Sequence, residues 1–402
     1  MNLFIFDTLL ESEWAQALGL LKITLTDKER DPILLAYSEV VHALVTRSAP
    51  DVLTAAAEDL LWGDSSLSHL AMTEQPIPNG LRQAAQLDVE ELFSFLNRDW
   101  YAETLKAVSR SLPRLKELAP PVKDVRVSEL AKMLGRNDPT ILEHLISAYE
   151  QHGTGDLSQH EAFRWTEGKL VGVKHPVQVE MEQLVALERP LSLLKKNTLA
   201  FLSKKPAQHA LLYGPRGSGK STAVRSLLKK YSAAGLRVIE LAAQDLIALP
   251  DVIEAVRFHP HRFIVFVDDL NFESGDNGYR PLKTLLEGSL TERPDNVLVY
   301  ATSNRRHLVK EHFSDRPDPL NDDVHAWDTH NERLALSDRF GLTITFPDAT
   351  QQRYLDIVRG LITREQLTVE GLEDRAIRFA DWGNGYSGRT AQQFVDSLKA
   401  EL

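Results

Sequence analysis

From the N-terminus to about residue 150, apolar residues recur at intervals of three and four, the period of helices that bury one face. Ile33-Leu34-Leu35-Ala36-Tyr37, Val40-Val41 and Leu44-Val45 form one such series. The run from Leu81 to Leu112 forms another, with Leu92, Phe93, Phe95 and Leu96 as its stripe. Pro76-Ile77-Pro78-Asn79-Gly80 and Pro120-Pro121 interrupt the pattern. Ser128 is placed to cap a helix running through Leu130 to Gly135, and a second helix is expected from about Pro139 to Gln151. Two short helices joined by Gly135-Arg136-Asn137 have the arrangement of a DNA-reading helix-turn-helix, but such pairs are common in any α domain and an ordinary helical pair is the favoured reading.

From Gly153 the pattern changes. Gly153, Gly155, Gly168 and Gly172 loosen the chain through a connecting segment that contains Trp165. Val185 to Leu202 reads as one or two helices, and strand-like runs then alternate with helical ones. The strands are Ala210–Tyr213, Leu236–Leu241, Phe263–Val267, Asn296–Ala301 and Leu342–Phe346; helices are expected over Ser221–Ser232, Asp251–Phe258 and Pro281–Gly288. Continuous apolar runs suit strands buried on both faces of a parallel α/β sheet. After Pro347 the chain returns to helix as a small C-terminal lid. The expected order is an N-terminal all-α domain over 1–150, a linker over 151–182, an α/β domain over 183–347 and a helical lid over 348–402.

At 402 residues the chain is long enough for two or three domains. Its 43% hydrophobic and 26% charged residues are those of a folded protein rather than a disordered one. No window offers the roughly 18 apolar residues of a membrane span. The opening Met1–Asp7 has no basic leader and is not expected to be a secretory signal. With no cysteine, disulfides and thiolate sites are excluded, and a cytoplasmic location is the expectation. A net charge of −11 does not favour nucleic acid as a partner, though it leaves it open. Basic residues cluster only as doublets, at Lys195-Lys196, Lys204-Lys205, Lys229-Lys230 and Arg305-Arg306.

The chemistry sits at the first strand-to-helix junction of the α/β region. Gly214-Pro215-Arg216-Gly217-Ser218-Gly219-Lys220-Ser221, followed by Thr222, matches the phosphate-loop pattern, with a buried strand before it and a helix after it. Its glycines let successive N–H groups converge on phosphate oxygens at a helix N-terminus. Lys220 is expected to reach the β- and γ-phosphates of ATP, and Ser221 to ligate Mg²⁺. The strand Phe263–Val267 ends in Asp268-Asp269. Asp268, coming first, is the expected metal partner. Asp269 is the favoured residue to activate water, with Glu273, which has the longer reach, as the alternative. The strand ending Thr302-Ser303-Asn304 would set the Asn304 amide beside the γ-phosphate, where it orients water.

In this order the motifs resemble the AAA+ superfamily over about residues 180–402. From about residue 145 onward the chain resembles more closely a bacterial family of predicted AAA+ ATPases catalogued as a domain of unknown function. The stretches that carry this are Ala162-Phe163-Arg164-Trp165, Leu211-Leu212-Tyr213-Gly214, Asp268-Asp269-Leu270-Asn271-Phe272-Glu273, Ala301–Leu308, Leu336-Ser337-Asp338-Arg339-Phe340-Gly341 and Ser387-Gly388-Arg389-Thr390-Ala391. The superfamily most often has Glu as the second residue of the metal strand; Asp-Asp-Leu-x-Phe-Glu is the family's own form. The resemblance implies a P-loop AAA+ parallel sheet flanked by helices and ATP hydrolysis with Mg²⁺. It makes Arg339 an arginine finger for a neighbouring subunit of an oligomer, a ring or open ring, and Arg389 a sensor of nucleotide state in the lid.

The stretch from Ala242 to Pro250 lacks the aromatic residue with which polypeptide-threading rings grip their substrate, and one helix fills the space after Glu273 where helicases insert a β-hairpin. The expected function is therefore remodelling or switching of a protein or nucleoprotein partner held by the N-terminal domain. A DNA-associated loader and a slow, nucleotide-gated scaffold are the alternatives; a small-molecule kinase does not need Asn304, Arg339 and Arg389 in this order.

Overall fold

The computed structural model describes residues 3–109, 111–114, 124–272, 280–287, 294–304, 337–383 and 385–401. They divide into two units: residues 1–159 with 258–260, and residues 160–257 with 261–402.

The first unit is built of helices: α1 (Glu13–Asp27), α2 (Arg30–Arg47), α3 (Val52–Trp62), α4 (Ser66–Met72), α5 (Asn79–Leu96), α6 (Trp100–Val108), α7 (Val125–Leu134), α8 (Ile141–His152) and α9 (Gly155–Gln159). On α2 the buried residues Ile33, Tyr37, Val40 and Leu44 follow the helical period, while Leu35 and Val45 face outward. The Leu81–Leu112 run is two helices, parted at Asn97–Asp99 where the Asp99 carboxylate accepts the Ala102 N–H and starts α6. Helix α7 begins three residues ahead of Ser128. Its cap is Asp124, whose carboxylate accepts the Arg126 N–H at 2.9 Å, so the serine lies inside the helix.

The fully buried Asp88 on α5 accepts backbone N–H groups from Phe4, Ile5 and Phe6 at 2.7–3.0 Å, which pins the N-terminal segment. Asp88→Ala strands these donors without a partner. It should destabilise this unit by about 2 kcal/mol, seen as a lower denaturation midpoint and faster amide exchange at residues 4–6. Unchanged exchange there would remove the carboxylate from this role.

The second unit carries one seven-stranded sheet of β1 (Ala162–Thr166), β2 (Lys169–Gly172), β3 (Ala210–Tyr213), β4 (Leu236–Glu240), β5 (Arg262–Val267), β6 (Val297–Ser303) and β7 (Leu342–Thr345), in the order β2-β1-β4-β5-β6-β3-β7. Every neighbouring pair is parallel except the β1–β2 hairpin. That hairpin lies in the stretch read from sequence as a connecting segment. Its two-residue turn, Glu167-Gly168, has positive φ at both positions, the geometry that matches strand twist. Glu is an unusual residue there, and the signal was correspondingly weak. Every residue of β5 and β6 is buried.

Between the strands run α10 (Glu188–Leu202), α11 (Lys220–Tyr231), α12 (Leu249–Val256) and α13 (Arg280–Glu287). The lid is α14 (Gln351–Arg364), α15 (Leu372–Trp382) and α16 (Gly388–Glu401), with its own core around Tyr354, Val358, Ala376, Phe394 and Val395. This is the expected α/β architecture, a mostly parallel sheet flanked by helices and followed by a helical lid. β3 lies between β6 and β7, while β4, next in the chain, lies across β6 and β5. The order therefore reverses beside β3, and a crevice opens at the carboxyl ends of the strands there. Among the described residues, no helix is long and apolar enough to cross a membrane. Of the basic doublets, Lys229 and Lys230 form ion pairs with Glu180 and Glu182, and Arg305-Arg306 lies outside the described residues.

Candidate nucleotide-binding site

The loop Gly214–Gly219 leaves β3 and delivers Lys220 as the first residue of α11. Gly217 and Gly219 adopt φ of +73° and +95°, conformations that side-chain-bearing residues rarely take. A Cβ on Gly217 would lie 3.0 Å from the Ser387 Cβ, so the glycine also lets the lid approach the loop. Gly388, at the start of α16, donates its N–H to the Gly217 carbonyl at 3.1 Å.

Lys220 is 6% exposed, and its Nζ donates to the carbonyls of Gly214 and Pro215 at 2.8 Å each and to Asn304 Oδ1 at 3.0 Å. Burial pulls its pKa below the usual lysine value, while the carboxylates of Asp269 and Asp268 oppose that shift. Asn304 in turn donates from Nδ2 to Asp269 Oδ1 at 2.7 Å. Three elements far apart in sequence thus meet in one chain of polar contacts: loop lysine, strand-tip amide, second carboxylate.

A second chain holds the first carboxylate. Ser221 Oγ and Thr302 Oγ1 both donate to Asp268 Oδ1 at 2.6 Å, and Asp269 donates its N–H to Thr302 Oγ1 at 2.9 Å. Thr302 therefore sets both aspartates, a role the sequence reading did not give it although it lies inside the quoted motif. Asp269 itself has φ of +53°, a left-handed turn that Asp tolerates better than most residues. The turn directs its carboxylate toward Asn304 and Asn271, the latter donating at 3.1 Å.

Both chains face a cleft of ≈ 700 Å³. Arg216, Gly217, Ser218, Gly219, Lys220, Ser221 and Thr222 line it, as do Asp268, Asp269, Asn304 and Arg389. Leu184, Val185, Leu187, Ile357 and Leu361 form an apolar wall, from the segment before α10 and from the lid, that no motif had indicated. The residues suit a triphosphate with Mg²⁺: a glycine cradle, a buried Ser218 Oγ without a hydrogen-bond partner, and the hard oxygens of Ser221 and Asp268 held together. Arg339 does not line the cleft; it ends a 3-10 turn, Ser337–Arg339, just ahead of β7. Glu273 lies outside the described residues.

A model of the family described as "Protein of unknown function (DUF815)" matches residues 158–402. The chain belongs to this family. The DUF815 segment contains the whole sheet, the edge hairpin included, and every residue of the cleft, while residues 1–157 lie outside it. No curated protein matches the chain. Among solved structures, the Thermotoga maritima RuvB Holliday junction branch migration motor is similar at 13% identity and a TM-score of 0.33, over 55% of this chain and 72% of that one. A point variant of the same motor gives 12% identity and a TM-score of 0.34 over the same shares.

Proposed function

We propose that this DUF815 protein is an AAA+ ATPase that hydrolyses ATP at the interface between subunits of an oligomer. Its nucleotide cycle then remodels or switches a protein or nucleoprotein partner held by the N-terminal helical unit. The observation that carries the reading is the convergence of Lys220, Asn304 and Asp269 in one polar chain beside the Ser221–Asp268 pair.

In this reading the loop N–H groups and Lys220 hold the β- and γ-phosphates. Ser221 and Asp268 would hold Mg²⁺, which would supply positive charge to offset that of the phosphates. Asn304 and Asp269 position a water, and Asp269 takes its proton. Arg389 and the Gly388–Gly217 contact tie lid position to the phosphate loop. Arg339 precedes the first residue of β7, whereas the phosphate loop follows the last residue of β3, and Tyr213 pairs with Thr345 at that far end. A strand rises about 3.3 Å per residue, so the length of β7 separates Arg339 from its own chain's phosphate loop. That separation supports a role in trans.

The test is turnover per chain measured against protein concentration. It should rise steeply as subunits assemble, and Arg339→Ala should lower the assembled rate about a thousandfold while leaving ATP binding in place. A rate per chain that does not depend on concentration would overturn catalysis at an interface.

A further inference from the structure

Helix α11 runs over one face of the sheet and carries a cation that none of the motifs includes. Ser221 and Arg225 are four residues apart, so both project from the same side of the helix. Beneath them, Glu240 at the end of β4 is in register with Phe266 of β5, and Asp268 lies two residues beyond Phe266. Alternation along a strand puts these three side chains on one face. Arg225 rests over the Phe266 ring, its guanidinium carbon 5.8 Å from the centroid, and lines the cleft. One nitrogen, Nη2, is 3.3 Å from Asp268 Oδ2 and 3.5 Å from Glu240 Oε1. Glu240 is held from its other side by Arg164 of β1, whose Nη2 donates to Oε2 at 2.8 Å.

The distances make Arg225 a shared cation: neither acid has it in a short, bidentate pair, and its side chain is 40% exposed, so moving between them costs little. Asp268 Oδ1 already takes two hydroxyl hydrogen bonds, which leaves Oδ2 to Arg225. A divalent cation bound by Asp268 and a guanidinium on the same carboxylate repel each other, and the ready alternative for the guanidinium is Glu240.

We propose that Arg225 is a positioning residue that trades between Asp268 and Glu240 and so sets how strongly the Asp268 site takes Mg²⁺. The inference rests on the nucleotide-site reading above. Arg164 anchors Glu240 as the receiving acid, which ties the edge hairpin to the metal site.

Equilibrium binding of a fluorescent, non-hydrolysable ATP analogue gives the test, as the ratio of its Kd in EDTA to its Kd in Mg²⁺. Arg225→Ala removes the competing cation and should raise the ratio about threefold. Glu240→Gln removes the place to which the guanidinium retreats and should lower it by a similar factor. Arg225→Lys keeps the charge and should stay near the parent value, and the double variant Arg225→Ala with Glu240→Gln should follow Arg225→Ala. Shifts in the same direction for the two single variants, or no shift in either, would overturn the role of Arg225 while leaving the nucleotide site standing. Failure of the unaltered protein to bind the analogue in both buffers would overturn the nucleotide-site reading and this inference with it.

Discussion

Lys220→Ala is expected to weaken ATP binding about a hundredfold and to eliminate measurable hydrolysis. The ammonium is buried at the base of the phosphate loop and donates three hydrogen bonds to oxygen: two loop carbonyls and the Asn304 amide. Phosphate oxygens are stronger acceptors than any of these, because hydrogen bonds between charged groups are shorter and roughly twice as strong as neutral ones. Losing two such contacts, at about 1.5 kcal/mol each, amounts to about 3 kcal/mol or a hundredfold in Kd. Alanine suits the first turn of α11, so the fold should persist, and an unaltered circular dichroism spectrum would show that it does. Calorimetric titration with ATP checks the affinity directly. An unchanged Kd would mean that the triphosphate does not sit in the loop.

The sequence disclosed most about places where local chemistry is demanding. A glycine-rich turn between a buried strand and a helix admits few other structures, and Gly217 and Gly219 take the positive φ that their residue type permits. Buried strands such as Phe263–Val267 stood out because every position is apolar, and all of β5 is buried. What stayed hidden depends on partners distant in the chain. The hairpin of β1 and β2 joins the sheet only through its register with β4, and its exposed residues blur the alternation along it. The apolar wall of the cleft combines the 184–187 segment with α14, more than 150 residues later, and no spacing rule connects them. Arg225 was within reach, since four residues from Ser221 is one helical turn, but the sequence did not reveal that Glu240 and Asp268 would lie side by side beneath it. Ser128 shows the opposite error: a residue type that favours caps was given that role, while Asp124 stands at the true boundary.

Asp269→Asn separates binding from chemistry, and hydrolysis should fall at least about a hundredfold while affinity for ATP stays within about twofold. The reason for choosing asparagine lies in the backbone. At φ of +53° most residues are strained, yet Asn and Asp both accept a left-handed turn, so the Asp268-Asp269 corner keeps its shape. The amide oxygen of Asn can also accept from Asn304 Nδ2 and Asn271 Nδ2 as the carboxylate does, which preserves the link to Lys220. What disappears is the negative charge and the capacity to take a proton from water. Asp269→Glu supplies a carboxylate again but on a longer side chain at the same left-handed position, so it should not restore the parent rate. Single-turnover hydrolysis and equilibrium ATP binding, measured on both variants, check the pair of expectations. Near-parent turnover in Asp269→Asn would transfer the proton-accepting role to another carboxylate, and Glu273, four residues onward, is then the group to replace. Loss of ATP binding alongside hydrolysis would mean instead that Asp269 supports the loop through Asn304 and Lys220, since those contacts are its path to the phosphates.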